Sequence, residues 1–365
     1  MDHGGQPAGG STSEMAVLSA EPGASGSESA RMASARDFVT MAYRFVLQRA
    51  PGEEELASWA RQIMNGMPDR DLMQRFVDSA EYRKRFEGIA PAHPAGHYYS
   101  PVVDPRELVG ARAPHRAIEP KDIPGIDLNI EEMRRWWHEV AVLVAATPFP
   151  PKEHPNWRYY PGNGSYPIGD AVTLRAMMAQ YRPKRIVEVG SGYSSAAMLD
   201  TIDEFGLSTA ITCIEPYADR LRGRLRAGDE RHLRILEQPV QAVPLAEFRA
   251  LDADDILFID STHVLKTGSD VHFELFSILP VLKPGVIIHF HDIPYPFEYP
   301  DIWIFERQYS WNEVYAVRAF LMNNNSYRVM FMNNLFFLKA QDLIRATFPP
   351  FNDSPGSSLW VRKLS

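Results

Sequence analysis

Five short apolar runs in the second half of the chain, separated by segments with helical periodicity, constrain the fold more than any other feature. Their continuous Ile, Val, Leu and Phe content is typical of strands that are buried on both faces of a parallel sheet. Strands that alternate with helices are joined by right-handed crossovers. The sequence therefore predicts an α/β, doubly wound and mostly parallel sheet, with strands at Arg185–Val189, Ala210–Ile214, Arg234–Leu236, Asp255–Ile259 and Val286–Phe290.

Three segments precede this sheet. Residues 1–33 are rich in Gly, Ser, Ala and Glu and lack apolar periodicity, which predicts a disordered tail. Apolar side chains at helical spacing predict a small all-α bundle over residues 34–90. Seven prolines between residues 91 and 127 predict an extended linker, because proline fixes φ and donates no backbone hydrogen bond.

The α/β domain is expected over residues 128–345. Near its C-terminal end, Tyr327–Val329 and Leu335–Leu338 predict an antiparallel pair at the edge of the sheet. Residues 346–365 are expected to form a C-terminal tail.

The composition excludes several classes of protein. Lys and Arg number 38 against 46 Asp and Glu, a net charge of −8, which argues against nucleic acid as a partner. The single cysteine, Cys213, excludes an intramolecular disulfide framework. No apolar run is long enough to span a bilayer, and residues 1–30 show no secretory signal. We therefore expect a cytoplasmic protein without a membrane span.

A glycine-rich turn follows the first predicted strand and leads into a helix. Glycines at this point let the backbone turn tightly and approach a ligand at the carboxyl end of the strand. A dinucleotide site would have a third glycine where this chain has Ser195, so the motif departs from G-x-G-x-x-G. The candidate cofactor-binding residues of this turn are Glu188, Gly190, Ser191, Gly192 and Ser194.

Three further residues are candidates for cofactor binding. Glu215 ends the second predicted strand, where a carboxylate can accept hydrogen bonds from both ribose hydroxyls. Sites for nicotinamide dinucleotides place an acid in the same position. Glu215 therefore indicates a ligand that contains a nucleoside, without identifying that ligand. Gln241, after the third strand, is a candidate partner of the base, and Tyr166 is a candidate lid residue, although core packing explains Tyr166 equally well.

Acidic and histidine side chains follow the fourth and fifth predicted strands. Asp260 and His263 lie after the fourth strand, and His291 and Asp292 lie after the fifth. Because the carboxyl ends of parallel strands meet at one edge of a sheet, these four side chains are expected to converge beside the glycine turn. A histidine that titrates near neutrality can remove a hydroxyl proton.

Together, Glu188–Gly192, Glu215 and the strand-end acids resemble the class I S-adenosylmethionine (SAM) methyltransferases. The similarity is to the family-24 type, including the macrocin and mycinamicin sugar O-methyltransferases, and it implies a Rossmann-like fold with SAM as methyl donor. It also implies that Asp260 and Asp292 bind a divalent metal such as Mg, Mn or Fe and that His263 is the general base. His291 stands where those enzymes carry a carboxylate; as a third ligand it disfavours Mg and leaves open that no metal binds.

The string from Tyr43 to Phe86 resembles the helical module DUF4214. This resemblance implies no catalytic residue. We expect the module to be a spacer or to contact a protein partner.

Aromatic side chains crowd the segment after the fifth strand, where flat rings suit the apolar faces of sugars but equally pack a lid. The resemblance favours a saccharide or other small-molecule acceptor. Two alternatives stay open: an iron-dependent hydroxylase on the same fold, using His263, His291 and Asp292, and a non-catalytic SAM-binding module. The aromatic residues are Tyr295, Phe297, Tyr299, Trp303, Phe305, Tyr309 and Trp311.

Overall fold

A computed structural model describes residues 28–85, 87, 92–109 and 119–365 of the chain. The chain separates into two compact units, residues 1–90 and residues 91–365. Most of the predicted N-terminal tail, residues 1–27, lies outside the described residues. Residues 28–33 belong to the first helix instead, because Ala, Arg and Met favour helix.

The first unit is a helical bundle. Its helices are α1 (Glu28–Ala42), which continues as a π-helical turn (Tyr43–Leu47), α2 (Glu53–Met64), α3 (Asp69–Val77) and α4 (Ala80–Arg85). The Tyr43 ring packs edge-on against Phe76 at 4.6 Å between ring centroids. Arg49 donates hydrogen bonds to Glu55 and Glu81, so one guanidinium ties α2 to α4.

The second unit contains a seven-stranded sheet in the order β3-β2-β1-β4-β5-β7-β6. Strands β1 to β5 run parallel, and β7 pairs antiparallel with both β5 and β6. This confirms the predicted mostly parallel sheet with an antiparallel edge. The strands are β1 (Arg185–Val189), β2 (Ala210–Ile214), β3 (Leu233–Leu236), β4 (Ile256–Ile259), β5 (Ile287–Phe290), β6 (Tyr327–Met332) and β7 (Leu359–Lys363).

Helices flank the sheet. Apolar residues spaced three and four apart give the first of them a buried stripe that includes Trp137 and Val140. The α-helices are α5 (Ile130–Ala145), α6 (Ile168–Tyr181), α7 (Tyr193–Phe205), α8 (Asp219–Arg222), α9 (Leu245–Arg249), α10 (Asp270–Phe273), α11 (Leu279–Val281), α12 (Glu313–Leu321), α13 (Asn333–Lys339) and α14 (Gln341–Thr347). Two π-helical segments lie at Glu274–Ile278 and Ile302–Glu306.

The C-terminal residues differ from the prediction. Residues 346–365 are not a tail, because they include β7, which inserts between β5 and β6. The predicted partner of β6, Leu335–Leu338, lies in α13, where Leu335 and Phe336 are fully buried. Hydrophobic content was correct there, but a four-residue run does not distinguish a strand from a buried helical turn.

The end of the predicted linker packs into the second unit. Ile123 and Ile126 are buried in the same apolar cluster as the sheet. The proline-rich stretch also contains 3-10 turns at Pro105–Leu108 and Pro120–Asp122. Residues 119–127 are therefore part of the α/β unit rather than an extended spacer.

Among the residues that the structure describes, no helix combines the length and the apolar character that crossing a bilayer would require.

Candidate active site

The turn after β1 is held tightly against the end of β4. Gly190 has a φ of +78°, a region that disfavours residues with a Cβ, and its N–H donates to the Ile214 carbonyl at 3.0 Å. A Cβ at Gly190 would lie 1.8 Å from the carbonyl oxygen of Asp260. Because Gly190 has no side chain, the turn after β1 can pass directly beside Asp260, the residue that follows β4.

Glu188 lies beneath this turn. It is fully buried and accepts hydrogen bonds from the hydroxyls of Ser194 and Ser195 and from the Cys213 thiol. Burial raises the pKa of Glu188 to about 7, although the three donors oppose that shift. The hydrogen bond between Glu188 and Ser194 thus fixes the start of α7 against β1, and both side chains are already engaged within the protein.

Glu215 ends β2 and holds the other side of the turn. Its Oε2 accepts a hydrogen bond from the Ser191 N–H at 3.2 Å, and its Oε1 accepts one from the Tyr217 N–H at 2.9 Å. A Cβ at Gly192 would approach Arg220 Cδ at 3.1 Å. The carboxylate is oriented by the backbone on both sides and keeps further lone pairs for a ligand.

The structure brings together the four side chains that follow β4 and β5. His263 Nε2 lies 3.6 Å from Asp260 Oδ1 and 3.7 Å from Asp292 Oδ2, and His291 Nε2 lies 3.6 Å from Asp292 Oδ1. The imidazole of His263 is 7% exposed, whereas the Asp260 and Asp292 side chains are 30% and 20% exposed. The carboxylates therefore form the solvent-facing side of this cluster.

His263 is held in a strained position. It has a φ of +60°, and its Nδ1 lies 2.8 Å from Glu313 Oε2. Burial lowers the pKa of His263, but the hydrogen bond and charge of Glu313, with the charges of Asp292 and Asp260, raise it to about 9. Nε2 is the ring nitrogen left facing the two aspartates.

His291 lies deeper than His263. Its Nδ1 is 3.9 Å from Asp170 Oδ2 and has no hydrogen-bond partner among the described residues. Burial lowers the pKa of His291, and the charges of Asp260, Asp292 and Asp170 outweigh that effect and raise it.

Asp170 anchors the segment that leads into β7. Its Oδ1 accepts hydrogen bonds from the Ser358 N–H and hydroxyl and from Asn333 Nδ2, and a Cβ at Gly356 would overlap its carboxylate. Burial raises the pKa of Asp170 to about 6. This acid therefore joins the C-terminal strand to the candidate site.

Two predicted cofactor residues are already engaged within the protein. Tyr166 is buried, its ring centroid lies 5.4 Å from that of His291, and its hydroxyl donates to the Asp170 carbonyl at 3.4 Å. Gln241 is exposed and donates its Nε2 hydrogen to the Gly268 carbonyl at 2.9 Å. Cofactor contact by either residue stays a prediction.

Asp260, His291 and Asp292 are the predicted ligands of a metal ion. Among the residues that the structure describes, no three His, Cys, Asp or Glu side chains are arranged to hold a metal ion. Asp260, His291 and Asp292 are close, but as arranged they do not fit the predicted site. No step below is therefore assigned to a metal.

Aromatic side chains from the segment after β5 pack beside His263. The Trp311 ring lies 4.4 Å from the His263 ring and stacks on Tyr309 at 4.3 Å between ring centroids. Trp303 meets Trp311 edge-on at 5.5 Å. We call Trp303, Tyr309 and Trp311, all half-buried, the aromatic wall.

The sequence analysis did not identify two site contacts. Glu313 pairs with a histidine 50 residues earlier, and Asp170 pairs with residues more than 160 positions later. No spacing rule connects residues so far apart. The run Trp311-Asn312-Glu313, polar residues at the start of a helix, is the signal that a search for partners of His263 could have used.

Comparison with known proteins agrees with this architecture. Residues 187–293 match the family described as a methyltransferase domain (Methyltransf_24), and residues 23–86 match a domain of unknown function (DUF4214). An uncharacterized protein of Archaeoglobus fulgidus is 34% identical over 173 residues, which cover 46% of this chain and 77% of that protein.

Two solved structures illustrate the structural likeness. The SAH-bound methyltransferase PaMTH1 of Podospora anserina is 15% identical, with a TM-score of 0.35, over 76% of this chain and 100% of its own. The Bacillus cereus O-methyltransferase in complex with SAH is 12% identical, with a TM-score of 0.32, over 63% of this chain and 89% of its own.

The sheet and the matched family define a class I methyltransferase domain in the second unit. The chain belongs to the same family as the Archaeoglobus fulgidus protein.

Proposed function

We propose that the protein is a SAM-dependent O-methyltransferase that acts on a hydroxyl group of a saccharide or glycosylated metabolite. One observation carries the proposal: the ordered glycine turn and Glu215 lie at the carboxyl ends of β1 and β2, and His263 lies after β4, which pairs directly with β1. The domain therefore has a nucleoside-binding edge and a proton acceptor on neighbouring strands.

The donor side is assigned to the turn and to Glu215. Gly190 and Gly192 carry no side chains, so a ligand can approach the backbone of the turn closely. Two backbone N–H groups orient Glu215 to accept hydrogen bonds from ribose hydroxyls. SAM, when bound, supplies a methyl group on a sulfonium sulfur. Glu188 acts indirectly, by fixing the shape of the turn.

The acceptor side is assigned to His263. Its Nε2 takes the proton of the acceptor hydroxyl while the oxygen attacks the methyl carbon, so that a C–O bond forms as the C–S bond breaks. The products are the methyl ether, S-adenosylhomocysteine (SAH) and a protonated His263. Asp260 and Asp292 stabilise the positive charge on the imidazole.

A saccharide acceptor is supported by the aromatic wall. Trp303, Tyr309 and Trp311 are half-buried, and they pack near the proposed base: the Trp311 ring lies 4.4 Å from His263 and meets Trp303 edge-on. Because Tyr309 stacks on Trp311 and His263 packs beside it, a sugar ring would contact the parts of the aromatic wall that stay exposed. The wall therefore favours a flat, partly apolar acceptor.

The first test is calorimetry of the full chain with SAM, SAH and NAD in parallel. We expect SAM and SAH to bind and NAD not to bind, followed by SAH formation with at least one member of a panel of mono- and oligosaccharides. Binding of NAD without SAM would contradict the donor assignment. Binding of SAM with no SAH formed from any saccharide, but formation from other hydroxyl compounds, would contradict the acceptor assignment.

The predicted divalent ion is tested separately. Elemental analysis of the purified protein, with turnover before and after dialysis against EDTA, decides whether Asp260, His291 and Asp292 bind one. Turnover that is lost on dialysis and restored by Mn or Mg would support the ligand assignment. Unchanged turnover in protein that contains no metal would remove these residues from the list of ligands.

A further inference from the structure

A short segment at the start of α12 is hydrogen-bonded to the loop after β4. The N–H groups of Asn312 and Glu313 both donate to the His263 carbonyl, at 3.0 and 3.1 Å. The Asn312 amide also bonds the Leu265 backbone in both directions, accepting from its N–H at 2.6 Å and donating to its carbonyl at 3.2 Å. We call Trp311, Asn312 and Glu313 the clamp.

The clamp also fixes the imidazole ring. Glu313 is 1% exposed, and its carboxylate binds His263 Nδ1 at 2.8 Å, while the Trp311 ring packs against the imidazole at 4.4 Å between ring centroids, tilted by 48°. A neutral histidine that donates through Nδ1 has an unprotonated Nε2, the form that a general base requires. The clamp thus selects both the orientation and the tautomer of His263.

The backbone conformation of His263 requires contacts of this kind to hold it in place. A φ of +60° is unfavourable for a residue with a Cβ and persists only where surrounding contacts enforce it. The contacts that enforce it here come from the clamp, about 50 residues later in the chain, which shares Trp311 with the aromatic wall. Hydrogen bonds therefore connect the segment that carries the aromatic wall to His263, the proposed base.

We propose that Glu313 is a positioning residue that contributes to methyl transfer only through His263. This inference rests on the proposed function, since it assigns the group that orients the proposed base. It also implies that residues of the segment that carries the aromatic wall set the catalytic competence of the enzyme as well as its substrate.

A double-mutant cycle tests the dependence on His263. We expect Glu313→Gln to lower kcat roughly 100-fold or more, as loss of the carboxylate partner does in catalytic triads, with the Kd for SAM changed less than twofold. In a His263→Gln background, the same substitution should change kcat less than twofold. Independent losses that multiply in the double variant, or an unchanged kcat in Glu313→Gln, would overturn the assignment.

Glu274→Gln is the matched control. Glu274 is also 1% exposed and lies close by, but its carboxyl accepts from the Ser261 hydroxyl at 3.1 Å and is not bonded to His263. Burial, together with the charges of Glu313 and Asp270, raises the pKa of Glu274 well above its usual range. We expect kcat of this variant to stay within twofold of that of the native protein.

A readout without turnover separates this inference from the proposed function. In protein labelled with ¹⁵N-histidine, at a pH high enough for the His263 ring to be neutral and with His263→Gln used to identify the signal, we expect Nδ1 of His263 to carry the ring proton in the native chain. We expect this preference to be lost in Glu313→Gln and kept in Glu274→Gln. If the preference behaves so but no acceptor is methylated, the proposed function fails and the positioning role stands; an unchanged tautomer in Glu313→Gln refutes that role.

Discussion

The two halves of the candidate site are built in different ways. The donor half, Glu188–Ser194 with Glu215, is local in sequence, and its shape depends on backbone groups and on glycines at positions where a Cβ would clash. The acid–imidazole half, comprising Asp260, His263, His291, Asp292 and Glu313, is assembled from β4, β5 and α12 and depends on side-chain contacts.

This difference teaches where function can be separated by mutation. A half that is defined by backbone geometry should lose ligand binding and stability when it is disturbed. A half that is defined by converging side chains should lose the chemical step while the fold and the affinity for SAM persist.

His263→Ala tests the acid–imidazole half most directly. We expect kcat to fall by roughly 10²–10⁴-fold, the usual contribution of a general base, while calorimetry gives a Kd for SAM near that of the native protein. Both outcomes follow from the position of the imidazole after β4, away from Glu215. Retained turnover would exclude His263 as the base, and a large loss of SAM affinity would show that the halves are not separable.

Gly190→Ala tests the backbone control of the donor half. The added methyl group would meet the Asp260 carbonyl oxygen at 1.8 Å at a φ of +78°, so β1 and β4 must move apart. We expect a destabilisation of about 3–5 kcal/mol in urea unfolding, within the upper range for single substitutions, and loss of SAM binding.

Gly206→Ala is the control for Gly190→Ala. Gly206 also has a positive φ, +56°, but a Cβ there would meet nothing within 4 Å. We expect only the conformational cost of about 1 kcal/mol. Equal losses in the two variants would show that positive φ, and not the contact with β4, restricts position 190.

Glu215→Gln sharpens the comparison on the donor side. An amide keeps the size of the side chain but loses the charge that strengthens hydrogen bonds to ribose hydroxyls and to the Ser191 and Tyr217 N–H groups. We expect the Kd for SAM to rise by about 10-fold, with kcat at saturating SAM within a few-fold of native. A fall in kcat with an unchanged Kd for SAM would show that Glu215 acts in the chemical step and not in SAM binding.

The effect of Glu188 should be visible as a pH dependence of stability. The pKa of Glu188 is raised to about 7 in the folded chain, against about 4.3 in an unfolded one. The folded state therefore holds more protons between these values, and the free energy of unfolding should fall as pH rises through this window and level off above pH 7.

The Glu188→Gln variant isolates this contribution. Because an amide does not titrate, urea unfolding at several values between pH 5 and pH 8 should show a shallower decline in the variant than in the native protein. Parallel curves would mean that the carboxyl is already ionised throughout this range in the folded state.

Much of the sheet could be predicted from the sequence. β1 and β2 have the bounds that their apolar runs indicate, and β3, β4 and β5 differ by one residue at their starts. The strand ends with Asp260, His263, His291 and Asp292 follow from the same rule, since parallel strands present their carboxyl ends at one edge. Local patterns suffice here because β1, β2, β4 and β5 are buried on both faces along nearly their whole length.

The tertiary structure alone decided three features. β7 was predicted as a tail because a five-residue strand has little signal until the edge of β5 offers it hydrogen bonds. The bond between Glu313 and His263 and the anchoring of β7 by Asp170 join residues that are distant along the chain. Sequence periodicity reports which face of an element is buried, but it does not report which distant side chain will meet it there. In this protein the donor turn was therefore determined locally, and the environment of the imidazole was determined by folding.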